Sequence, residues 1–265
     1  MGKLLKPSFR NRKPFEKEMT KEILSQISDS HLHGEQTFLR GYSIATWLYG
    51  VAKMPEGVDL FDDHQRATWL ADCAKHLIRA LSGFARVSIY DVMTFSKGDD
   101  SFIPTHPGKE ITEQLDEYLR CTTDVSNVAF FLDFWCLKNS EDSIVTEYPS
   151  LNDGYLFLWN NVNAGQIIEG EEYFITLSFN IANSIFAPVS LNKDNRALAA
   201  LNGPRLRAFI ERIEKHPDLK FREVDCDTEY VSWLRSHNLF DDHGFKMPED
   251  VEAFDRLLKE LNEAV

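Results

Sequence analysis

The chain has 265 residues, of which 43% are hydrophobic and 12% aromatic, and this composition excludes a protein that is disordered throughout its length. Its formal net charge of −13 is unevenly divided, because residues 1–21 carry seven Lys/Arg and two Asp/Glu, whereas residues 22–265 carry twenty-two and forty. The formal charge of residues 22–265 is therefore −18, which disfavours nucleic acid as a partner and favours a basic protein.

The cysteines and the apolar runs indicate where the protein is located. The four cysteines form no C-x-x-C pair, so the sequence predicts neither a zinc knuckle nor a redox dithiol, and we expect no cofactor. They are Cys73, Cys121, Cys136 and Cys226. No apolar run approaches the length of a membrane span. We therefore expect a soluble, cytoplasmic protein with reduced thiols and no membrane association.

The first part of the chain has mainly helical patterns. We interpret residues 1–21 as a basic flexible tail and residues 22–122 as helical. Apolar residues recur every four positions in two stripes, which are Phe15, Met19, Ile23, Ile27 and then Phe38, Tyr42, Ala45, Tyr49. A stronger helical pattern covers residues 67–81, between an expected N-cap at Asp59 and a stop at Gly83. A shorter helix is predicted over residues 111–119.

The central part of the chain has strand patterns. Val128–Leu137 is a nearly continuous apolar run, and its aromatic content favours a buried strand over a buried helix. Tyr155–Trp159 is a short β-like run, and apolar and polar residues alternate from Tyr173 to Ile181. Turn-forming residues separate these runs, so residues 143–189 are expected to form an antiparallel meander.

The last part of the chain returns to helices. They are predicted over residues 206–213, 230–237 and 251–261, with Pro204 near the first turn of the first helix and a strand over residues 219–224. This order predicts an α+β fold with an N-terminal helical region, a central mainly antiparallel β-sheet and C-terminal helices packed on it. We expect residues 22–265 to form a single domain. The alternative is a subdivision near residue 122 into a helical part, 22–122, and a part with the sheet plus helices, 123–265.

Three histidine-containing segments are candidate metal or general-base sites. Residues 29–35 contain two histidines two positions apart, and imidazole with carboxylate suits zinc, iron or manganese. Leu-Phe-Asp-Asp-His occurs at 60–64 and again at 239–243. The candidate residues are His31, His33, Asp62, His64 and His243. We favour the alternative, a polar connector and two solvated acidic segments, because no second cluster with ligand spacing follows. The sequence therefore predicts no metal site.

Glu169-Gly-Glu171-Glu172 resembles the E-x-E element of ADP-ribosyltransferases, in which paired glutamates orient a ribose and its acceptor. The Arg and Ser-Thr-Ser elements of that family are not found upstream, so we interpret the segment as a hairpin turn. The sequence also has no phosphate loop, dinucleotide-binding turn, nucleophile elbow or zinc-protease helix motif. These observations favour binding over catalysis, although a catalytic triad assembled from distant residues leaves no local spacing.

The C-terminal region is the predicted docking surface. Residues 223–265 contain twelve Asp/Glu and four Lys/Arg, with aromatic residues among them. Aromatic anchors within a charged rim are typical of specific protein interfaces. The predicted partner-binding residues are Glu223, Asp225, Asp227, Phe240, Asp241, Asp242 and Phe245. The alternative is that the aromatic rings belong to the core.

These patterns lead to one functional expectation. We expect a cytoplasmic acidic protein that masks or inhibits a basic protein partner, in the manner of an immunity protein or an inhibitor, with no nucleic acid bound. The alternatives are a metal-dependent hydrolase with a His/Asp site and a subunit of a larger assembly.

Overall fold

The computed structural model describes residues 44–96, 102–103, 110–139, 145–190, 193–225 and 229–263. Within these ranges the chain forms a mixed α+β fold in which helices flank a large antiparallel sheet, and the predicted fold class is confirmed. The basic tail, the stripe of residues 15–27 and the His31 and His33 pair lie outside the described residues.

Thirteen strands lie in the described ranges. They are β1 (Ala45–Val51), β2 (Ala85–Thr94), β3 (Phe102–Ile103), β4 (Val125–Asn139), β5 (Val145–Asn160), β6 (Val162–Asn163), β7 (Gln166–Ile167), β8 (Ile175–Ile181), β9 (Val189–Ser190), β10 (Lys193–Asp194), β11 (Lys220–Asp225), β12 (Phe240–Asp241) and β13 (Gly244–Phe245). Seven of them form one sheet in the order β11-β1-β8-β5-β4-β2-β3, and every neighbouring pair is antiparallel. The other six form three two-stranded hairpins.

Five α-helices lie in the same ranges. They are α1 (Asp63–Ala80), α2 (Ile111–Cys121), α3 (Arg196–Glu214), α4 (Glu229–Ser236) and α5 (Val251–Glu263). The helices predicted over residues 67–81, 111–119, 206–213, 230–237 and 251–261 each overlap one of them, and two of these predicted helices extend one residue beyond its end. No helix in the described ranges combines the length and the apolar character needed to cross a membrane.

The start of α1 differs from the sequence prediction. Asp62 is the N-cap, because its backbone is extended and its side chain accepts a hydrogen bond of 2.8 Å from the Gln65 N–H. Asp59, the predicted cap, accepts instead from the Phe61 N–H at 2.9 Å within the preceding turn. Both positions carry aspartate, which is a preferred N-cap residue. The structure distinguishes them because the helix begins directly after Asp62.

One face of the sheet, which we call the inner face, packs against α1, α2 and α3. Trp47 of β1 stacks on Phe179 of β8 with ring centroids 5.4 Å apart. Phe84, just before β2, stacks on Phe209 of α3 at 4.8 Å. Phe209 also meets Phe179 edge to face at 4.8 Å, so these rings tie α3 to the centre of the sheet. One continuous buried cluster contains residues from both sides of residue 122.

Three segments of the predicted helical region 22–122 are strands in the structure, and the shortest of them is β3, Phe102–Ile103. Residues 45–51, at the end of the second apolar stripe, form β1, and residues 85–94 form β2. A spacing of four residues fits a helix, but it also fits two steps of the two-residue period of a strand. In β1 the residues Ala45, Trp47, Tyr49 and Val51 are buried in alternation, so the strand period applies there.

The other strand predictions are confirmed. The runs at 128–137, 155–159 and 219–224 lie within or overlap β4, β5 and β11, and the alternating run ends in β8. Glu169 and Gly170 form the centre of a turn, which the Glu171 N–H closes with a hydrogen bond of 3.0 Å to the Ile168 carbonyl oxygen, and Gly170 has a φ of +94°. Pro204, predicted near the first turn of its helix, lies instead inside α3, which begins eight residues earlier at Arg196.

Candidate protein-binding surface

The second face of the sheet, which we call the outer face, carries the side chains that alternate with the core residues. Directly paired residues of neighbouring strands project to the same side, so the register orders these positions in three rows across six strands. Row one is Ile89, Phe131, Tyr155, Asn180, Thr46, Asp225; row two is Asp91, Ala129, Phe157, Ser178, Leu48, Glu223; row three is Met93, Asn127, Trp159, Thr176, Gly50, Lys220.

The centre of the outer face carries a contiguous group of rings, which we call the aromatic patch and define as Phe131, Tyr155, Phe157 and Trp159. Ring centroids of Phe131 and Tyr155 are 6.2 Å apart, those of Tyr155 and Phe157 are 5.5 Å apart, and those of Phe157 and Trp159 are 5.7 Å apart. Trp159 remains 42% exposed, and its neighbour in the patch, Phe157, is partly exposed. Part of the apolar surface of the patch is therefore exposed.

One corner of the outer face is acidic. Glu223 and Asp225 are exposed on β11, the strand at the edge of the described sheet, and they end rows two and one. We call these two residues the acidic edge. Lys220 ends row three, and Arg222 stacks on the Tyr173 ring at 4.1 Å, so along β11 the carboxylates lie at the ends of the first two rows.

Polar side chains connect the aromatic patch to the acidic edge. Thr46 donates a hydrogen bond of 2.5 Å to the Asn180 side-chain oxygen across β1 and β8. Asn180 is paired with Tyr155 in row one, and Thr46 is paired with Asp225. The row therefore changes from apolar to polar to acidic across the sheet.

No described helix packs on the aromatic patch. The buried core cluster lies on the inner face, and neither this cluster nor the partly buried residues packed against it include any ring of the patch. A side chain that does cover the outer face is Tyr173, whose ring lies over Gly50 so closely that an added Cβ would overlap it. Trp159 is the exposed ring of the patch, the other three rings are partly exposed, and Ala129 and Asn127 beside them in rows two and three are buried. Within the described residues, the patch is thus a partly exposed apolar surface on the same face as the acidic edge.

The predicted aromatic anchors of the C-terminal region lie in the core. Phe240 and Phe245 are each 4% exposed, and their rings meet edge to face at 5.1 Å. Phe240 also packs against Trp47 at 6.0 Å. These rings sit in the β12–β13 hairpin, which folds onto the inner face, so the core alternative describes them correctly and they present no ring to a partner.

The neighbouring carboxylates hold cations of the same chain. Asp241 pairs with Arg207 at 3.2 Å, and Asp242 pairs with Arg235 at 3.0 Å. The backbone carbonyl of Asp242 accepts a hydrogen bond of 2.8 Å from the Trp47 indole N–H, which fastens the hairpin to β1. Asp227 lies outside the described residues. Among the predicted residues, Glu223 and Asp225 are exposed on the outer face.

The candidate metal residues are dispersed among other roles where the structure describes them. Asp62 caps α1, and His64 is exposed at the start of that helix. His243 is exposed, with its Nδ1 4.0 Å from a Glu214 carboxylate oxygen. Within the described ranges, no three His, Cys, Asp or Glu side chains are grouped closely enough to hold a metal ion.

A buried group of titratable side chains lies between α1 and the end of α3. The His216 ring is 8% exposed and meets the His76 ring edge to face at 5.0 Å. Burial, together with the neighbouring His76, lowers the pKa of His216 to about 4. Burial also raises the pKa of the Cys73 thiol, so this cysteine is neither charged nor nucleophilic at neutral pH. Both groups are neutral core residues.

The aromatic patch is the part of the surface that sequence reasoning missed. Its signal is present in the sequence, because Tyr155, Phe157 and Trp159 occupy alternate positions of a β-like run and therefore share one face of a strand. The addition of Phe131 requires the pairing of β4 with β5, which sequence alone does not provide.

Comparison with protein-family models, curated proteins and solved structures finds no match for this chain.

Proposed function

We propose that this protein binds a basic protein partner through the outer face of its sheet and thereby masks or inhibits that partner, as an immunity protein or an inhibitor does. The observation that carries the proposal is the register that puts Glu223 and Asp225 in the same rows as Phe157 and Tyr155. An apolar centre beside a charged border is the usual composition of a specific protein interface. The apolar rings supply contact area, and the carboxylates steer the approach of a cationic partner.

The charges of the outer face favour a protein over a nucleic acid. Exposed rings on a sheet can stack on bases, but nucleic-acid binding also needs Lys and Arg side chains along the phosphate backbone. Rows one and two of the outer face end in carboxylates, and residues 22–265 carry a formal charge of −18. We therefore propose a protein partner, and we extend the proposal to a cytoplasmic location.

The test compares variants of the two parts of the face. The partner is first isolated from the native cytosol at low salt, and association with the purified partner is then followed by stopped flow. The double variant Glu223→Gln/Asp225→Asn should slow association about threefold to tenfold at low salt and less at high salt, because it removes the steering charges. Trp159→Thr should instead speed dissociation, because it removes apolar contact area.

A matched control removes the same charge elsewhere. Glu249 and Glu252 are exposed near the start of α5, and Glu249→Gln/Glu252→Gln should leave association unchanged. Equal effects of the two double variants would mean that net charge, not the acidic edge, governs binding. Recovery of a nucleic acid in place of a basic protein would refute the proposed partner class.

A further inference from the structure

A groove of about 360 Å³ lies between α3 and the β12–β13 hairpin. Ala199 and Gly203 of α3 line one wall, Phe245 lines the other, and Arg207 and Lys246 lie beside them. The volume falls in the usual range for small-molecule sites. Because α3 covers the inner face of the sheet, the groove and the outer face are on opposite sides of the sheet.

The glycine in this groove has no packing reason to be glycine. Gly203 lies in the interior of α3, where glycine is less favourable than alanine because it loses more backbone entropy on folding. A Cβ added there would meet its nearest neighbour, the Phe186 carbonyl oxygen, at 3.8 Å, which is an ordinary contact. What the missing side chain does provide is space in the groove along the wall that α3 forms.

The charged side chains of the groove are unusual for so acidic a chain. Arg207 pairs with Asp241 at 3.2 Å and donates to the Phe245 carbonyl oxygen at 3.1 Å. Lys246 donates from Nζ to the Asn238 side-chain oxygen at 2.8 Å, and within the described residues no carboxylate oxygen lies within 4.0 Å of it. The groove thus has two cations for one carboxylate, in a protein whose net charge is −13.

We propose that this groove binds a small apolar carboxylate, a molecule with an aliphatic or aromatic body and one carboxylate group. The body lies against Ala199, Gly203 and Phe245, where the wall is apolar. The carboxylate lies towards Lys246, which provides a cation that no carboxylate of the described chain neutralises. This site is separate from the proposed partner-binding face and does not depend on it.

The test titrates the protein with 3-phenylpropionate and, separately, with the corresponding alcohol, 3-phenylpropanol. Binding of each compound is measured from the amide chemical shifts of the protein in NMR spectra. An open groove predicts a Kd of about 1 mM for the acid and about tenfold weaker binding of the alcohol. The shifts should centre on Gly203 and Lys246. Equal binding of acid and alcohol, or no saturable shift up to about 10 mM acid, would overturn the proposal.

Three variants locate the site. Lys246→Gln should weaken binding of the acid severalfold and leave binding of the alcohol unchanged. Gly203→Leu should abolish binding of both compounds, because the leucine side chain fills the groove. If Gly203→Leu proves unfolded by circular dichroism, Lys246→Gln carries the test alone. Trp159→Thr, which changes the outer face, should have no effect. Loss of binding in Trp159→Thr would assign the probe to the aromatic patch and refute the groove.

Discussion

Replacing Gly154 with alanine should lower the free energy of unfolding, whereas the same replacement at Gly203 should raise it. Gly154 lies on the inner face of β5, where an added Cβ would overlap the Phe134 ring and come within 2.8 Å of the Asn180 carbonyl oxygen. Phe134 is fully buried, with its ring 5.1 Å from Phe84, so it has no space into which to rotate. Overpacking of a core costs about 1–3 kcal/mol, and the backbone contact puts Gly154→Ala near the upper limit.

Gly203→Ala is the matched substitution, and it should change the free energy of unfolding in the opposite direction. Its Cβ meets nothing closer than 3.8 Å, and a helix interior gains about 0.5–1 kcal/mol when alanine replaces glycine. Urea unfolding followed by circular dichroism measures both variants against the parent protein. An unchanged midpoint for Gly154→Ala would refute the packing of β5 against Phe134, and a destabilised Gly203→Ala would refute the open space above α3.

Three further changes test other parts of the fold. The pKa of His216 is about 4 in the folded protein and about 6.5 in an unfolded chain. The free energy of unfolding should therefore fall by about 3 kcal/mol as the pH decreases from 6.5 to 4, because the unfolded state binds the proton more tightly. This loss should be absent in His216→Gln. Asp62→Ala should cost about 1 kcal/mol because the Gln65 N–H loses its cap, while Asp62→Asn should cost little; equal losses would exclude the cap. Trp47→Phe should cost about 1 kcal/mol and speed hydrogen exchange in the β12–β13 hairpin, because the bond to the Asp242 carbonyl is lost; unchanged exchange would refute this tether.

The elements that could be predicted from the sequence are those with an unambiguous local period. The helix α1 has eighteen residues, with apolar side chains along one face. In β8, buried and partly exposed side chains alternate without interruption. The helix predicted at the position of β1 was wrong, because the spacing of Ala45 and Tyr49 fits both the helical and the strand period. Only the burial of β1 against α1 and α3 distinguishes the two periods. The single domain stays a prediction, but the sequence did not reveal that β1 and β2 join strands from the second half of the chain in one sheet.

The candidate surface could be predicted in part, because charge is visible in a sequence and strand order is not. Glu223 and Asp225 belong to an acidic region that composition reveals, but their neighbours in space are Leu48 and Thr46 of β1. Phe240 and Phe245 share the same acidic region and are nevertheless buried, because the hairpin that carries them folds onto Trp47. Burial of an aromatic ring follows from the fold and not from its sequence neighbours.

Site-specific photo-cross-linking in the cells that produce this protein tests the proposed binding face most directly. A photoreactive amino acid replaces Ile89, which is 38% exposed in row one of the outer face, and in a control protein it replaces Glu252, which is exposed on α5. The proposed function predicts a cross-linked adduct with a basic protein from position 89 and none from position 252. An adduct from position 252 alone, or a partner that is not basic, would contradict it.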